Sequence, residues 1–238
     1  TLSGIGPERE LKRLGIKPVN VLNGVGENYQ DHATVQMTFE GKGDFDPDWV
    51  VPRFRLMYKS DSAMPSGNFH IFMRPPTVVP GLKTMMPVSA NLLEQRSPGR
   101  LTLKNSDPHE LPEIEDAMLE HPDDIAAMKT AMEFIYELVS HESMQDYYGP
   151  LLSPGLEEDW PAFARSTHGT YHHGAGTCMM GPGTDPMAVV DHRLRVHGID
   201  NLYVADASIM PIVCHANTNV TSIMIGERVS DFIKESGG

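Results

Sequence analysis

The chain has 238 residues, 19 of them basic and 32 acidic, which gives a formal net charge of −13. This length is sufficient for one large domain or two small ones, and the acidic balance argues against binding to nucleic acid or to an anionic membrane. No apolar run is long enough to span a bilayer, and two cysteines, Cys178 and Cys214, exclude a multi-disulfide scaffold or a four-cysteine zinc site.

The N-terminal part of the chain is predicted to contain one short helix followed by strands. Pro7 suits the first turn of a helix that runs to Leu14, and Gly15 then ends it. Residues 40–48 are polar and contain glycine, so they are interpreted as a loop. Alternating or apolar runs predict strands at residues 19–22, 34–39, 68–73, 86–93 and 100–104.

The rest of the chain carries the stronger helix signals. Pro122 and two following aspartates open a helix, since acidic side chains are favourable at a helix N-terminus. Its apolar residues recur at helical spacing and predict a stripe that packs in the core: Ile125, Met128, Met132, Ile135 and Val139. Residues 147–160 are predicted to be a Pro/Gly-rich loop, and residues 221–234 a closing helix. Antiparallel-looking strands with few helices predict an α+β fold.

The residues most able to carry chemistry lie between positions 167 and 181. His168, His172 and His173 fall within six residues, among several glycines. Histidine is the usual base near neutral pH, and glycines allow the backbone to approach a flat ligand closely. Two histidines four apart could bind a metal if they lay on a helix, but the glycines oppose a helix and no carboxylate or cysteine pair accompanies them. No metal site is predicted, and a purely structural histidine cluster remains the alternative.

A second cluster follows an apolar segment near the C-terminus. Residues 201–205 are predicted to form a strand that ends at Asp206 and the small residue Ala207. An aspartate at a strand end can accept hydrogen bonds from ribose or ribityl hydroxyls, and a small neighbour lets a phosphate approach the backbone amide. An ordinary turn is the alternative.

A third cluster precedes the closing helix. It contains His215, Asn217 and Asn219, and either Asn219 or Thr221 could be the helix cap. A helix N-terminus offers free amide donors and partial positive charge, which suits an anionic ligand. Capping alone does not account for two asparagines and a histidine together.

Taken in order, several segments resemble the C-terminal half of the glucose–methanol–choline (GMC) family of flavin oxidoreductases. The matching segments are Ser3-Gly4-Ile5-Gly6-Pro7, residues 23–32 (NGVGENYQDH), residues 96–103 followed by Asp107-Pro108, residues 173–178 (HGAGTC), residues 204–211 (VADASIMP) and Asn217-Thr218-Asn219. These motifs extend over nearly the whole chain. Gly174 stands where the family more commonly has proline, without an evident chemical consequence.

The resemblance implies an FAD enzyme that oxidises a small-molecule alcohol by hydride transfer to the flavin. His173 matches the family's catalytic histidine and would act as base toward the substrate hydroxyl. Asn217 matches its partner position, where an asparagine can hold the substrate oxygen but cannot take its proton. His172 and His215 have no clear family role, and His215 is interpreted as structural.

The remaining matches imply contacts with FAD. They are Asp206 and Ala207 at the ribityl–pyrophosphate portion, Thr218, Asn219 and Val220 at the pyrimidine edge, and Asn28 in a loop over the cofactor. The helix N-terminus at the pyrimidine edge would stabilise the negative charge of reduced flavin. Asp31 and His32 belong to the same covering loop.

The resemblance also implies a division of the chain. Residues 1–32 would be a segment of the FAD-binding domain, residues 33–165 an antiparallel-sheet substrate-binding domain with helices, and residues 166–238 the catalytic-histidine segment and the C-terminal return to the FAD-binding α/β domain. The family's Gly-x-Gly-x-x-Gly turn is not found, because Gly24-x-Gly26 stops after two glycines. We therefore expect an N-terminal FAD-binding half, in the same chain or a separate one, as partner.

Two alternatives stay open at this point. A non-oxidative relative, such as a hydroxynitrile lyase, would keep the flavin pocket and the histidine but would not move hydride. A non-catalytic fragment would need a partner chain to hold FAD. Neither the alcohol, the electron acceptor nor the cellular compartment is predicted.

Overall fold

The structure is a computed structural model that describes residues 1–43 and 55–236. It divides into two compact units. The first comprises the described residues of Thr1–Asp31, Ser97–Met118 and His172–Gly238, and the second those of His32–Arg96 and Leu119–Tyr171. Part of the loop predicted at residues 40–48 lies outside the described residues.

The second unit is built on an antiparallel sheet. Its strands, in spatial order, are β10 (Gly169–Thr170), β3 (Ala33–Gly41), β6 (Met85–Leu92), β5 (Phe69–Met73) and β4 (Arg55–Tyr58), and β9 (Tyr148–Ser153) also pairs with β3. Strand β3 alternates buried and accessible side chains over most of its length, as a half-buried strand does. Strand β6 is buried along nearly all of its length, because it lies between two neighbours and under a helix. The strands predicted for β3, β5 and β6 are confirmed.

Helix α2 (Pro122–Ser140) covers this sheet. All five residues of its predicted apolar stripe are buried, which confirms the prediction that they pack in the core. His121 caps the helix, since its Nδ1 accepts a hydrogen bond from the Asp123 amide at 3.2 Å. Helix α3 (Trp160–Thr167) packs against α2 and is capped by Asp159, whose Oδ1 accepts from the Ala162 amide at 3.1 Å.

The loop predicted at residues 147–160 is wrong in part, because β9 lies within it. This strand pairs with β3 alone, and its register shifts twice along the ladder. Pro150 has no amide hydrogen to donate, so it is tolerated only at a sheet edge or a bulge. Because of this proline and the irregular register, the segment lacks the regular alternation of apolar and polar residues from which a strand is predicted.

The first unit contains smaller elements around an apolar cluster. They are β1 (Ile5–Gly6) paired in parallel with β2 (Asn20–Val21), α1 (Glu8–Arg13), the hairpin of β7 (Arg100–Thr102) and β8 (Glu113–Glu115), and α4 (Thr218–Ser236). The cluster includes Val189, Val190, Leu194 and Ile209, and α4 contributes Ile225.

The closing helix begins earlier than predicted. Helix α4 starts at Thr218, so Asn219 and Thr221 lie inside its first turn and neither is the cap. The hydroxyl of Ser222 donates to the Thr218 carbonyl at 2.9 Å, one turn back along the helix. Small polar residues are compatible with a first turn as well as with a cap, which is why the sequence did not fix the start.

Residues 97–118 belong to the first unit, although the sequence had placed them in the middle segment. Tyr29 and Gly99 exchange two backbone hydrogen bonds, at 2.9 and 2.7 Å, and the Leu101 amide donates to the Gly26 carbonyl at 2.6 Å. A Cβ at Gly99 would overlap the Glu115 carbonyl, so glycine is required for the hairpin to lie this close.

The strand predicted at residues 201–205 is not part of a sheet in the described chain. Tyr203 forms only an isolated antiparallel bridge with Arg195, flanked by hydrogen bonds of 2.9 and 3.1 Å. Mixed helices and an antiparallel sheet nevertheless confirm the predicted α+β class. Among the described residues, no helix combines the length and apolarity needed to cross a membrane.

Candidate functional site

The first unit brings together two predicted site residues that are 44 positions apart in sequence. The Nδ2 atom of Asn217 lies 3.3 Å from Nε2 of His173. An amide nitrogen can only donate, so a hydrogen bond at this contact requires the tautomer in which Nε2 accepts and Nδ1 carries the proton. Asn217 is exposed and His173 is half-buried, which leaves the pair accessible to a small molecule.

The surroundings of His173 favour its neutral form. Burial lowers the pKa of His173 below its ordinary value, the carboxylate of Asp31 raises that pKa, and His172 lowers it again. Burial is the largest of these effects, so the net pKa is lowered. The imidazole is therefore neutral near pH 7, which is the state that can accept a proton.

The side chains of Asp31 and His32, which were predicted to belong to a covering loop, are both buried. The Oδ1 atom of Asp31 accepts a hydrogen bond from the His173 backbone amide at 3.0 Å, and its Oδ2 accepts from the Tyr29 hydroxyl at 3.4 Å. His32 lies in the second unit, where its carbonyl accepts from the Tyr171 amide at 3.1 Å. The covering role predicted for the loop stays a prediction.

Asn28 ties the glycine loop to the segments around the site. Its Nδ2 donates to the carbonyls of Gly176 and Pro211, at 3.4 and 3.2 Å, and its backbone has a φ of 59°. The sequence missed Gln30, whose Nε2 donates to the Asn28 side-chain oxygen at 3.1 Å and to the Pro211 carbonyl at 3.0 Å. Its Oε1 accepts from the Val213 amide at 3.2 Å. Gln30 lies between Asn28 and Asp31 of the family motif, and this position was the signal in the sequence that could have identified it.

Asp206 and Ala207 lie beside the segment that carries His173. One Asp206 carboxylate oxygen accepts from the Ser208 amide at 2.8 Å and begins a 3₁₀ turn at Ala207–Ile209. The Gly176 amide donates to the Ala207 carbonyl at 3.2 Å, so the two predicted motifs are in register. Asp206 itself is exposed.

The first turn of α4 presents the remaining predicted residues. Asn219 and Val220 are exposed, whereas Thr218 is only 9% exposed. The first amides of a helix have no intrahelical partner, so this turn can donate to a ligand through its backbone.

The other histidines of the cluster do not join this site. His168 ends α3 in the second unit, and its Nδ1 donates to the Arg165 carbonyl at 2.9 Å, which gives it a structural role. His172 is exposed and has a φ of 63°. A search of the described residues finds no group of three or more histidine, cysteine, aspartate or glutamate side chains that could hold a metal ion.

Comparisons with family models and with curated proteins point to the same family. A family model described as GMC oxidoreductase matches residues 95–226. The chain is 33% identical over 268 residues to the oxygen-dependent choline dehydrogenase of Proteus mirabilis (strain HI4320), covering 98% of this chain and 47% of that protein. It is 32% identical to the choline oxidase of Arthrobacter globiformis, covering 99% of this chain and 46% of that protein. The chain thus spans about half the length of the curated relatives it matches.

Solved structures agree with this result at the level of the fold. The pyridoxine 4-oxidase from Mesorbium loti has a TM-score of 0.87 at 23% identity, over 97% of this chain and 47% of that one. A formate oxidase has a TM-score of 0.81 at 25% identity, over 99% of this chain and 51% of that one. Since the family model matches more than half of the 238 residues, the chain belongs to the GMC oxidoreductase family.

Proposed function

We propose that this chain supplies the substrate-side half of an FAD-dependent enzyme that oxidises an alcohol, with His173 as the base. The observation that carries the proposal is the accessible pair of His173 and Asn217 at 3.3 Å, with the histidine pKa lowered by burial. Its setting in a GMC oxidoreductase chain supports the reaction class. Relatives named choline dehydrogenase and choline oxidase act on an alcohol, which supports a CH–OH donor.

The two side chains would divide the work on the substrate hydroxyl. A bound hydroxyl would replace the contact between the two side chains, so that its proton passes to His173 Nε2 and its oxygen accepts a hydrogen bond from the Asn217 amide. An alkoxide releases hydride from its adjacent carbon more readily than an alcohol does, and bound FAD supplies the hydride acceptor. Because an amide cannot take the proton, His173 would be the sole base of the pair.

The exposed parts of the predicted cofactor set fit a flavin. Asp206 and the backbone of Ala207 would hold the ribityl–pyrophosphate portion, and the first-turn amides at Asn219 and Val220 would face the pyrimidine edge. Thr218 is buried, so it would contribute through its backbone.

The predicted covering role of Asn28 takes a different form. Its side-chain nitrogen already donates to two carbonyls, which suits a residue that positions the cofactor loop. The second unit, with its antiparallel sheet, would form the substrate-binding part.

The rest of the flavin site would come from an N-terminal FAD-binding half, in the same chain or a separate one. The choline dehydrogenase has sequence beyond the matched part, since this chain covers 47% of it. The first two turns of α4 expose three apolar side chains, Val220 at 76%, Ile223 at 60% and Met224 at 54%. Among the described residues, no backbone hydrogen bond reaches the amide or carbonyl of Tyr203, which leaves an edge that a further strand could pair with.

Ile223→Glu tests this docking face. Burying an isoleucine contributes about 1.5–3 kcal/mol, so the change should weaken association with the N-terminal half roughly ten- to hundredfold. We expect less FAD per protein at equal concentration, measured by flavin absorbance after gel filtration. Leu156→Glu, at an apolar position of the second unit that is 60% exposed, is the matched control and should leave FAD content unchanged. Full FAD content in Ile223→Glu would contradict the docking face.

Steady-state turnover of the assembled FAD protein tests the reaction class. A panel of primary alcohols, including choline, should yield aldehyde in step with reduction of oxygen or of an artificial electron acceptor. Product formation without reduction of any acceptor would instead indicate a non-oxidative relative. A chain that never acquires FAD with an N-terminal half would contradict the cofactor assignment.

A further inference from the structure

We propose that Asp31, Tyr29 and Gly174 form a clamp that positions His173, with Asp31 holding the His173 backbone and Tyr29 holding Asp31 against Gly174. The clamp depends on the proposed function in one respect, namely that His173 is the catalytic base. Its own geometry is independent of the cofactor.

Asp31 provides the direct hold. Its side chain is 1% exposed, and its Oδ1 accepts from the His173 amide at 3.0 Å. A buried carboxylate is costly unless it is hydrogen-bonded, and a charged acceptor makes a stronger bond than a neutral one. The backbone at His173 is therefore fixed at the residue whose imidazole must meet the substrate oxygen.

Tyr29 provides the second hold. Its hydroxyl donates to Asp31 Oδ2 at 3.4 Å. Burial, and then the charge of Asp31, raise the pKa of Tyr29 to about 12, so the hydroxyl stays protonated and remains a donor at any working pH. With both oxygens engaged, the Asp31 carboxylate cannot rotate away from the His173 amide.

Gly174 makes room for this arrangement. A Cβ at this position would lie 3.2 Å from both Cε2 and the hydroxyl oxygen of Tyr29, closer than side chains ordinarily pack. An alanine there would require the Tyr29 ring, whose hydroxyl bonds Asp31, to shift by a few tenths of an ångström. Gly174 directly follows His173, and the sequence indicated no consequence for the glycine there. In the structure, its lack of a side chain leaves room for the Tyr29 ring.

The clamp also has an electrostatic signature. Among the described residues, Asp31 raises the pKa of His173 and His172 lowers it. Removal of the Asp31 charge should therefore lower the pKa of His173 further, and removal of His172 should raise it. Since the neutral imidazole is the active form, the acid limb of kcat/KM should follow in the same directions.

The first experiment uses the assembled FAD protein and two opposed variants. In Asp31→Asn, NMR titration of the His173 ring should give a lower pKa, and kcat should fall several-fold with little change in KM, because a neutral Oδ1 still accepts from the His173 amide but holds it less strongly. His172→Asn should shift the same titration to higher pH, and asparagine tolerates the positive φ there. An unchanged His173 titration in Asp31→Asn would overturn the clamp.

The second experiment is a double-mutant cycle of Tyr29→Phe and Gly174→Ala. Each change weakens the hydrogen bond from the Tyr29 hydroxyl to Asp31 and keeps the Asp31 charge. Each should therefore lower kcat several-fold and speed hydrogen exchange of the His173 amide. The double variant should lose no more than the worse single one. Tyr147→Phe and Gly169→Ala are matched controls, since Tyr147 is exposed and nothing lies within 4 Å of a Cβ at Gly169.

The outcomes separate the clamp from the proposed function. Additive losses, or His173 amide exchange as slow as in the parent, would overturn the clamp. If Asp31→Asn fails to fold, the Tyr29→Phe and Gly174→Ala cycle still decides. If the parent oxidises no alcohol, the proposed function fails, while the titration and the amide exchange still test the clamp.

Discussion

His173→Ala should slow flavin reduction by about 10²- to 10⁴-fold, which is the usual contribution of a general base. The substrate proton would have no acceptor, because Asn217 offers only an amide at 3.3 Å from the histidine. The measurement is anaerobic stopped-flow at saturating alcohol, with the assembled FAD protein. Flavin binding should be retained, since the residues that would hold the cofactor lie elsewhere in the first unit.

Asn217→Ala is the paired comparison for this result. Loss of one neutral hydrogen bond costs about 0.5–1.5 kcal/mol, so the rate should fall only about two- to tenfold. His192→Ala, which changes an exposed histidine away from the pair, should leave the rate unchanged. Equal losses for His173→Ala and Asn217→Ala, or a larger loss for the asparagine, would contradict the assignment of His173 as sole base.

Gly176→Ala should destabilise the first unit by about 2–5 kcal/mol. The backbone φ of 91° costs an L-residue roughly 1–2 kcal/mol, and a Cβ would overlap the Asn28 carbonyl and lie 2.9 Å from Asn28 Nδ2, which adds about 1–3 kcal/mol of overpacking. The ties made by Asn28 would be displaced, so FAD content should fall as well. Urea unfolding followed by circular dichroism measures the loss of stability.

Gly15→Ala separates the two causes. Gly15 also has a positive φ, of 67°, but nothing lies within 4 Å of its Cβ position. It should cost only the conformational part, about 1–2 kcal/mol. If Gly176→Ala costs no more than Gly15→Ala, the close approach of the two loops is not a source of stability.

Local patterns predicted the parts of the fold that depend on local periodicity. The stripe from Ile125 to Val139 could be found because a helix repeats every 3.6 residues whatever it packs against. Strand β9 could not, since Pro150 and two register shifts interrupt its alternation. Residues 97–118 were assigned to the wrong segment because their pairing with Tyr29 is long-range and leaves no local signal.

The sequence suggested the candidate residues of the proposed site but not the residues that support them. Motif order identified His173 and Asn217, yet only the fold shows them 3.3 Å apart. The burial of Asp31 could not be derived from the sequence, because a polar motif does not show which of its side chains are enclosed. Tyr29 and Gly174 were unassigned for the same reason, since their relation is a contact between two loops.

The most direct test of the account is anaerobic mixing of the assembled FAD protein with an alcohol and with the same alcohol deuterated at its carbinol carbon. The account predicts that the yellow flavin bleaches, that one carbonyl product forms per flavin, and that deuterium slows the bleaching because hydride leaves that carbon. Product formation while the flavin stays yellow would contradict it.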